Sequence, residues 1–231
     1  MGPTGPVGDL TSPARFAARV GTIAVGALPV VLVVMHFIQP GLGPVDHFVS
    51  EYAHGRFGWM VVLGYVLAGS GTILFVWPLI PRYGKGAWAL ASAVCLVVVG
   101  IGLIATGLTR IDVAGPGGLA ISTNSGQLHE LASYIAILGL VAGAFVIPAT
   151  ARRDSARSDG MSTLRWFRWL LLASLIVVLL ARPLGIVGLG QRLFLIVALS
   201  WLVLVGLHLS GIDTAATSNA AGQVERSGSV N

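Results

Sequence analysis

The sequence predicts an all-α fold: a polytopic membrane bundle of six transmembrane helices, with the N and C termini in the cytoplasm. Of its 231 residues, 55% are hydrophobic and 10% are charged, whereas a soluble domain carries about 25% charged residues. The mean hydropathy of +0.86 agrees with this class. Apolar runs of about 20 residues, the length that crosses a bilayer, alternate along the chain with short polar loops.

The predicted spans follow one another with few residues between them. In chain order they cover residues 16–38, 58–80, 87–108, 127–150, 166–181 and 193–209. Pro29 predicts a kink in the first span, and Pro81 predicts the end of the second. Asn124, with Gln127 three residues further on, predicts a capped start of the fourth span.

The ends of the chain differ in composition from the membrane domain. Residues 1–15 and 211–231 are rich in small and polar residues, which predicts disordered tails on either side of a transmembrane domain at 16–210. The first apolar run is longer than the apolar part of a signal peptide, and no small-x-small cleavage site follows it. We therefore expect it to remain as the first span.

The basic residues predict the orientation. Of the 14 Lys and Arg residues, ten lie on the face that carries the termini, and four (Arg56, Arg110, Arg182 and Arg192) lie on the other face. Cytoplasmic loops carry the excess of basic residues, so the termini are expected in the cytoplasm. The net charge of +5 is therefore attributed to orientation, and nucleic acid is not an expected partner. Cys95, the single cysteine, excludes an intramolecular disulfide and CxxC chemistry.

Residues 45–59, VDHFVSEYAHGRFGW, form the densest polar stretch of the chain. A membrane protein places titratable groups together where they meet water, a ligand or each other. The face opposite the termini collects equal numbers of acids and arginines. These are Asp46, Glu51, Asp112, Glu130, Arg56, Arg110, Arg182 and Arg192. This balance predicts either an ion-paired cap or a polar cavity that opens outward.

Histidines on the same face raise metal and haem as alternatives. His47, Glu51 and His54 would share one side of a short helix, a spacing that resembles a stripe of metal ligands. The spacing differs from the HExxH of zinc proteases, so an interfacial helix with a Glu–His pair is the favoured interpretation. Haem would need facing axial histidines within the bundle, and His36 and His129, on the same side of the membrane, could form such a pair. We expect neither a metal nor another cofactor.

Arg182 and Arg192 bracket the run PLGIVGLGQ, which is apolar and glycine-rich but too short to span a bilayer. It is expected to break the outer end of the fifth span or to form a shallow re-entrant turn. The two guanidinium groups could clamp a phosphate or a carboxylate. Pairing with the acids of the same face is the favoured alternative.

Three stretches of the chain carry a family resemblance. They are Ser50-Glu51-Tyr52-Ala53 with Gly58-Trp59, Asp112 with Gly126-Gln127-Leu128-His129, and Gly190-Gln191-Arg192 with Trp201. With these motifs, the chain resembles the bacterial six-span membrane proteins catalogued as domain of unknown function 998. Where that family often has Phe-Pro-x-Asp, this chain has Thr109-Arg110-Ile111-Asp112. The resemblance implies the six-span fold, but the family has no agreed activity to carry over.

These observations favour a protein that binds or processes a lipid or isoprenoid at a polar extracytoplasmic site. The candidate ligand-binding residues are Asp46, Glu51, Asp112, His129, Glu130, Arg182 and Arg192, and the candidate catalytic residues are Glu51, Asp112 and His129. One alternative is a non-enzymatic accessory or scaffold protein whose polar residues form a structural ion-pair cap. A further alternative is a proton-initiated isoprenoid (terpene) cyclase, in which Glu51 or Asp112 supplies the proton. The sequence leaves open whether the protein is an enzyme, and it does not indicate an oligomeric state.

Overall fold

The computed structural model describes residues 12–113, 122–151 and 161–211, and within those ranges the chain is entirely helical with connecting turns and loops. The helices are α1 (Ser12–Ile38), α2 (Gly58–Leu74), α3 (Val76–Tyr83), α4 (Ala87–Leu108), α5 (Asn124–Ala151), α6 (Met161–Ala181) and α7 (Val187–Ser210), with a 3-10 turn at Val49–His54 between α1 and α2. Six helical segments, of which α2 and α3 together form one, are long and apolar enough to cross a membrane. The predicted all-α, six-span fold is confirmed, and the orientation of the termini stays a prediction.

The structure describes only the residues of the two predicted tails that adjoin the membrane domain. Helix α1 begins at Ser12, inside the segment that the sequence assigns to an N-terminal tail. The remaining tail residues, 1–11 and 212–231, lie outside the described ranges.

The second span is broken where the sequence contains two prolines. Pro78 has no N–H to donate to the carbonyl of Leu74, four residues earlier, and α2 ends at that residue. Phe75 links the two helices and is fully buried. Pro81 does not end the span as predicted, because α3 continues to Tyr83 and ends where Gly84 adopts a positive φ of 77°. The amide of Gly84 still donates to the carbonyl of Ile80, over a distance of 2.8 Å, so the last turn closes around the proline.

The start of α5 is capped differently from the prediction. The hydroxyl of Thr123 accepts a hydrogen bond from the amide of Gly126, three residues further on, at 3.1 Å. Thr123 is therefore the N-cap, and the predicted capping by Asn124 with Gln127 is wrong. The Gln127 side chain donates instead to the hydroxyl of Ser122, at 3.0 Å.

The glycine-rich run after α6 breaks the outer end of the fifth span, as expected, and does not form a re-entrant turn. Helix α6 ends at Ala181, and a tight turn follows in which Gly185 has a positive φ of 71°. Helix α7 begins at Val187, six residues before the predicted start at residue 193. The run therefore supplies the turn and the first part of the sixth span.

The crossing helices form a ring in which each packs on two neighbours, in the order α1, α2, α4, α5, α6, α7 and back to α1. Small residues allow the close approaches. Gly21 of α1 faces Gly71 of α2, and Gly139 of α5 packs on Val98 and Val99 of α4. The Gly139-x-x-x-Gly143 pattern thus serves packing within the chain, as such patterns do in membrane helices.

The two ends of the bundle differ in chemistry. At the end where α1 starts and α7 stops, the Tyr83 hydroxyl lies 2.7 Å from His208 Nε2. At the other end, the loop after α1 and the 3-10 turn pack against the start of α7 and the α4–α5 connection. We call this second end, formed by residues 36–58, 109–113, 122–130 and 182–192, the polar end.

Candidate functional site

The 3-10 turn Val49–His54 is the centre of the polar end. Its first amide, that of Val49, donates to Gln191 Oε1 of α7 at 2.8 Å. The amide of Leu189 donates to the carbonyl of Val45 at 3.1 Å, which adds a second link between this loop and α7. The turn is largely buried, with Ser50, Glu51 and Tyr52 all less than one-tenth exposed.

Glu51 holds the start of the turn and orients a histidine. Its Oε1 accepts the amide of Phe48 at 2.9 Å, and its Oε2 lies 2.7 Å from His47 Nδ1. Because a carboxylate oxygen accepts, Nδ1 carries the proton in this pair. His47 is half-buried, and its Nε2 lies 3.7 Å from the exposed carboxylate of Asp46. The predicted Glu–His pair is present, and both carboxylate oxygens of Glu51 are engaged within the chain.

Arg192 fastens the polar loop to α7 through main-chain oxygens. Its Nη1 donates to the carbonyls of Pro44 at 2.7 Å, His47 at 2.8 Å and Gly188 at 3.1 Å. Its Nη2 donates to the hydroxyl of Tyr52 at 3.1 Å. The guanidinium carbon lies 5.8 Å from the centre of the Tyr52 ring, within cation–π range. Nη1 and Nη2 of Arg192 are therefore engaged by the chain itself, and its role in binding an anion stays a prediction.

Tyr52 joins the turn to the end of α1. Its hydroxyl lies 3.2 Å from His36 Nδ1 and 3.4 Å from the carbonyl oxygen of Leu42, and its own carbonyl accepts from Gln39 Nε2 at 3.3 Å. His36 is thus engaged by a tyrosine, whereas His129 binds a carbonyl of the α4–α5 connection. The two histidines considered as axial haem ligands have different partners.

Asp112 organises the connection between α4 and α5. Its carboxylate accepts from the amide of Thr123 at 2.9 Å and from the Thr123 hydroxyl at 2.6 Å. These two hydrogen bonds, with a smaller contribution from His54 and His129, hold the pKa of Asp112 below its usual value. An aspartate with a lowered pKa is ionised at neutral pH, which makes it a poor proton donor to an alkene. Gly126 is required beside it, because a Cβ there would overlap the carboxylate.

His54 and His129 both bind carbonyls of the α4–α5 connection. His54 Nε2 donates to Ile111 at 2.7 Å, and His129 Nδ1 donates to Thr109 at 3.0 Å. His54 therefore turns away from His47 and Glu51, because Val49–His54 is a 3-10 turn that starts after His47, not an α-helix. Across the described ranges, no three side chains of the metal-ligating types converge.

A narrow crevice lies between the 3-10 turn, α2, α4 and α5. The residues that line it are Ser50, Ala53, Val61, Tyr65, Thr106, Gly107, Thr109 and His129. It encloses about 170 Å³ when its open mouth is included, and it is too narrow for a water molecule as it stands. The Ser50 hydroxyl is buried and has no hydrogen-bond partner among the described residues.

An apolar groove of about 320 Å³ runs along the outer side of α4 and α5, and Thr109 lines both this groove and the crevice. The residues that line it are Ile101, Gly102, Ala105, Thr109, Leu128, Leu131, Ala132 and Ile135. Small side chains form its floor, and exposed leucine and isoleucine side chains form its walls. Its volume is at the lower limit of the roughly 300–1,000 Å³ of small-molecule sites.

The structure brings the predicted site residues into two groups joined by the 3-10 turn. Glu51 and Arg192 belong to the first group through His47 and Tyr52, and Asp112 and His129 belong to the second. The other three candidates, Asp46, Glu130 and Arg182, are exposed. No arginine of the described ranges forms a salt bridge with a carboxylate, so the favoured pairing of Arg192 with the acids is not observed.

Four participants were absent from the predicted site: Ser50, Tyr52, Gln191 and Thr123. Ser50, Tyr52 and Gln191 lie inside the motifs that carried the family resemblance, and that position was the available signal. Thr123 had no such signal, because its role depends on where α5 starts.

The family assignment agrees with this architecture. No curated protein and no solved structure matches the chain. A family model described as "Protein of unknown function (DUF998)" matches residues 22–208, which takes in all six crossing segments and both groups of the polar end. The chain therefore belongs to the DUF998 family of membrane-type helical proteins.

Proposed function

We propose that this protein binds a single-chain lipid or isoprenoid in the extracytoplasmic half of a bacterial plasma membrane. The hydrocarbon chain would lie in the groove between α4 and α5, and the head group would lie at the polar end. The observation that carries the proposal is that Thr109 lines both the apolar groove and the crevice that holds the buried Ser50 hydroxyl. An apolar groove beside a buried polar group would suit a ligand with one apolar and one polar end.

The apolar groove and the polar end contribute differently to the free energy of binding. A lipid tail is already in an apolar solvent, so entry into the groove yields packing contacts and little hydrophobic free energy. Chain length and shape are therefore selected weakly. Selectivity depends on the polar end, where an unsatisfied buried group costs about 1–3 kcal/mol.

Binding is favoured over proton-initiated cyclisation. Such a cyclase needs a carboxylic acid that is protonated before the reaction. Asp112 has a lowered pKa, and Glu51 accepts hydrogen bonds with both oxygens. Neither carboxyl group is arranged as a free acid facing the groove.

A non-enzymatic accessory or scaffold protein is the second candidate. The observation that favours it is the engagement of Glu51 and Arg192 by the chain's own backbone. These contacts form a hydrogen-bonded clasp instead of the ion-pair cap expected from the sequence. Under this function, the groove would hold only bulk lipid.

Lipid retention by matched variants tests the proposal. Ala105 is half-exposed and lines the groove, whereas Ala91 is half-exposed on the same helix and lies outside it. We expect wild-type protein and Ala91→Leu, purified in mild detergent, to retain a defined lipid in native mass spectrometry. Ala105→Leu should retain several-fold less, because its side chain fills the groove. Equal retention by all three proteins, or no specific lipid on any of them, would favour the scaffold.

A further inference from the structure

Ser50 is a buried polar residue whose hydroxyl has no hydrogen-bond partner among the described residues. Its side chain is 3% exposed and lines the crevice. A hydroxyl without a partner in a buried site costs free energy, and native proteins seldom leave one without a reason. Two neighbouring polar groups are engaged elsewhere: His129 Nδ1 donates to the carbonyl of Thr109, and the Thr106 hydroxyl lies 3.3 Å from that of Ser133.

The lining of the crevice is uncharged by type, apart from the imidazole of His129. It contains no Asp, Glu, Lys or Arg. Arg192 of α7, which contacts the turn, already donates hydrogen bonds to three carbonyls and to the Tyr52 hydroxyl. A phosphate or carboxylate in this crevice would lose its hydration without gaining a counter-charge, which is costly.

The small size of the crevice, like its lack of charged side chains, disfavours a phosphate head group. The crevice encloses about 170 Å³ with its mouth and is narrower than water. Side chains would have to shift to open it to a hydroxyl group, whereas a phosphate or sugar would require the 3-10 turn itself to leave its place. That turn is held by Gln191 and Arg192.

We propose that the polar end recognises the hydroxyl group of a neutral, single-chain lipid alcohol, linear or isoprenoid, through Ser50. The serine hydroxyl both donates and accepts, so it satisfies the alcohol and is satisfied by it. This inference rests on the proposed function, since the chain of the alcohol occupies the α4–α5 groove. The competing arrangement is a phosphate head outside the crevice, beside the exposed Arg110 that follows Thr109.

Three probes with one chain and different heads test the inference. Oleyl alcohol, oleic acid and oleyl phosphate are presented to the full-length protein in detergent, and retention is measured by native mass spectrometry. We expect the alcohol to be retained about tenfold better than either anion. Ser50→Ala should lower retention of the alcohol about fivefold, the order expected for one neutral hydrogen bond. Its retention of the two anions should be unchanged.

The outcomes separate this inference from the function on which it rests. Equal or better retention of oleyl phosphate by wild-type protein would overturn it, and this comparison needs no variant. If Ala105→Leu loses all three probes and the wild type shows no preference among the head groups, the groove is supported as the lipid site. Recognition of an alcohol by Ser50 is then refuted. If Ala105→Leu retains all three probes as the wild type does, the groove itself is refuted, and the alcohol site with it.

Discussion

Replacing Arg192 by methionine should detach the polar loop from α7. Methionine has a similar length and no donors, so the substitution removes the hydrogen bonds to Pro44, His47 and Tyr52 while the apolar stem is kept. These bonds join residues about 140–150 positions apart in the chain. The local geometry of α7 does not depend on them, because only the bond to Gly188 lies within the helix.

The magnitude follows from the three bonds between segments. A hydrogen bond to a charged group contributes about 1.5–3 kcal/mol when it is buried. The guanidinium is only partly buried, so water can replace some of each bond and the low end applies. The bonds also share one group and are not additive. We expect a loss of about 3 kcal/mol, which corresponds to roughly a hundredfold larger population of the detached loop.

Limited proteolysis at Arg56 measures that population. Arg56 follows the 3-10 turn, and cleavage there requires the turn to open, so the cleavage rate follows the open fraction when opening is fast. Arg182→Met is the matched control, since Arg182 is an exposed arginine of the same end, and its loss should change stability by less than about 0.5 kcal/mol. Arg192→Lys should lie between the two, because an ammonium lacks the planar fork. Equal cleavage rates for Arg192→Met and Arg182→Met would refute the role assigned to Arg192.

Two further predictions concern the α4–α5 connection. Gly126→Ala should displace the Asp112 carboxylate from Thr123 and lower the stability in detergent unfolding. Gly26→Ala, at a helical glycine with open space around it, should not lower it. Equal losses for the two variants would contradict the close approach. The lowered pKa of Asp112 means that its contribution to stability is full above the ordinary aspartate pKa and is lost as pH falls through the lowered value. Thr123→Val should weaken the dependence of stability on pH, and Thr123→Ser should keep it, as measured by unfolding between about pH 2 and pH 6. An unchanged pH dependence in Thr123→Val would count against the two hydrogen bonds from Thr123 to Asp112.

The positions of the spans were predictable because hydropathy adds up along the chain. The third span agrees with α4 at both ends, and the others differ by a few residues where capping or proline geometry decides the end. The prediction for the second span did not include the break at Phe75. That break is a local effect, because Pro78 lacks the N–H that would bond to Leu74. The Asn124 cap was wrong because a threonine one residue earlier binds both Asp112 and the helix.

The gathering of the candidate residues at one end was also predictable. Successive spans place alternate loops at the same end, so Glu51, Asp112 and Arg192 were expected at one end of the bundle. Their partners were not predictable in the same way. A hydrogen bond requires a donor–acceptor distance that is accurate to a few tenths of an ångström. Sequence spacing does not fix distances between separate helices to that accuracy.

The sequence by itself determined that this protein is a six-span helical bundle with its candidate site residues at one end, because the length of the apolar runs and the alternation of the loops are properties of the linear chain. Only the tertiary structure decided that Arg192 binds carbonyl oxygens instead of carboxylates, that Glu51 holds His47, and that Ser50 is buried without a partner. Those choices depend on how α7 packs beside the loop after α1, and the close contact of Gly188 with Pro44 and His47 sets that packing.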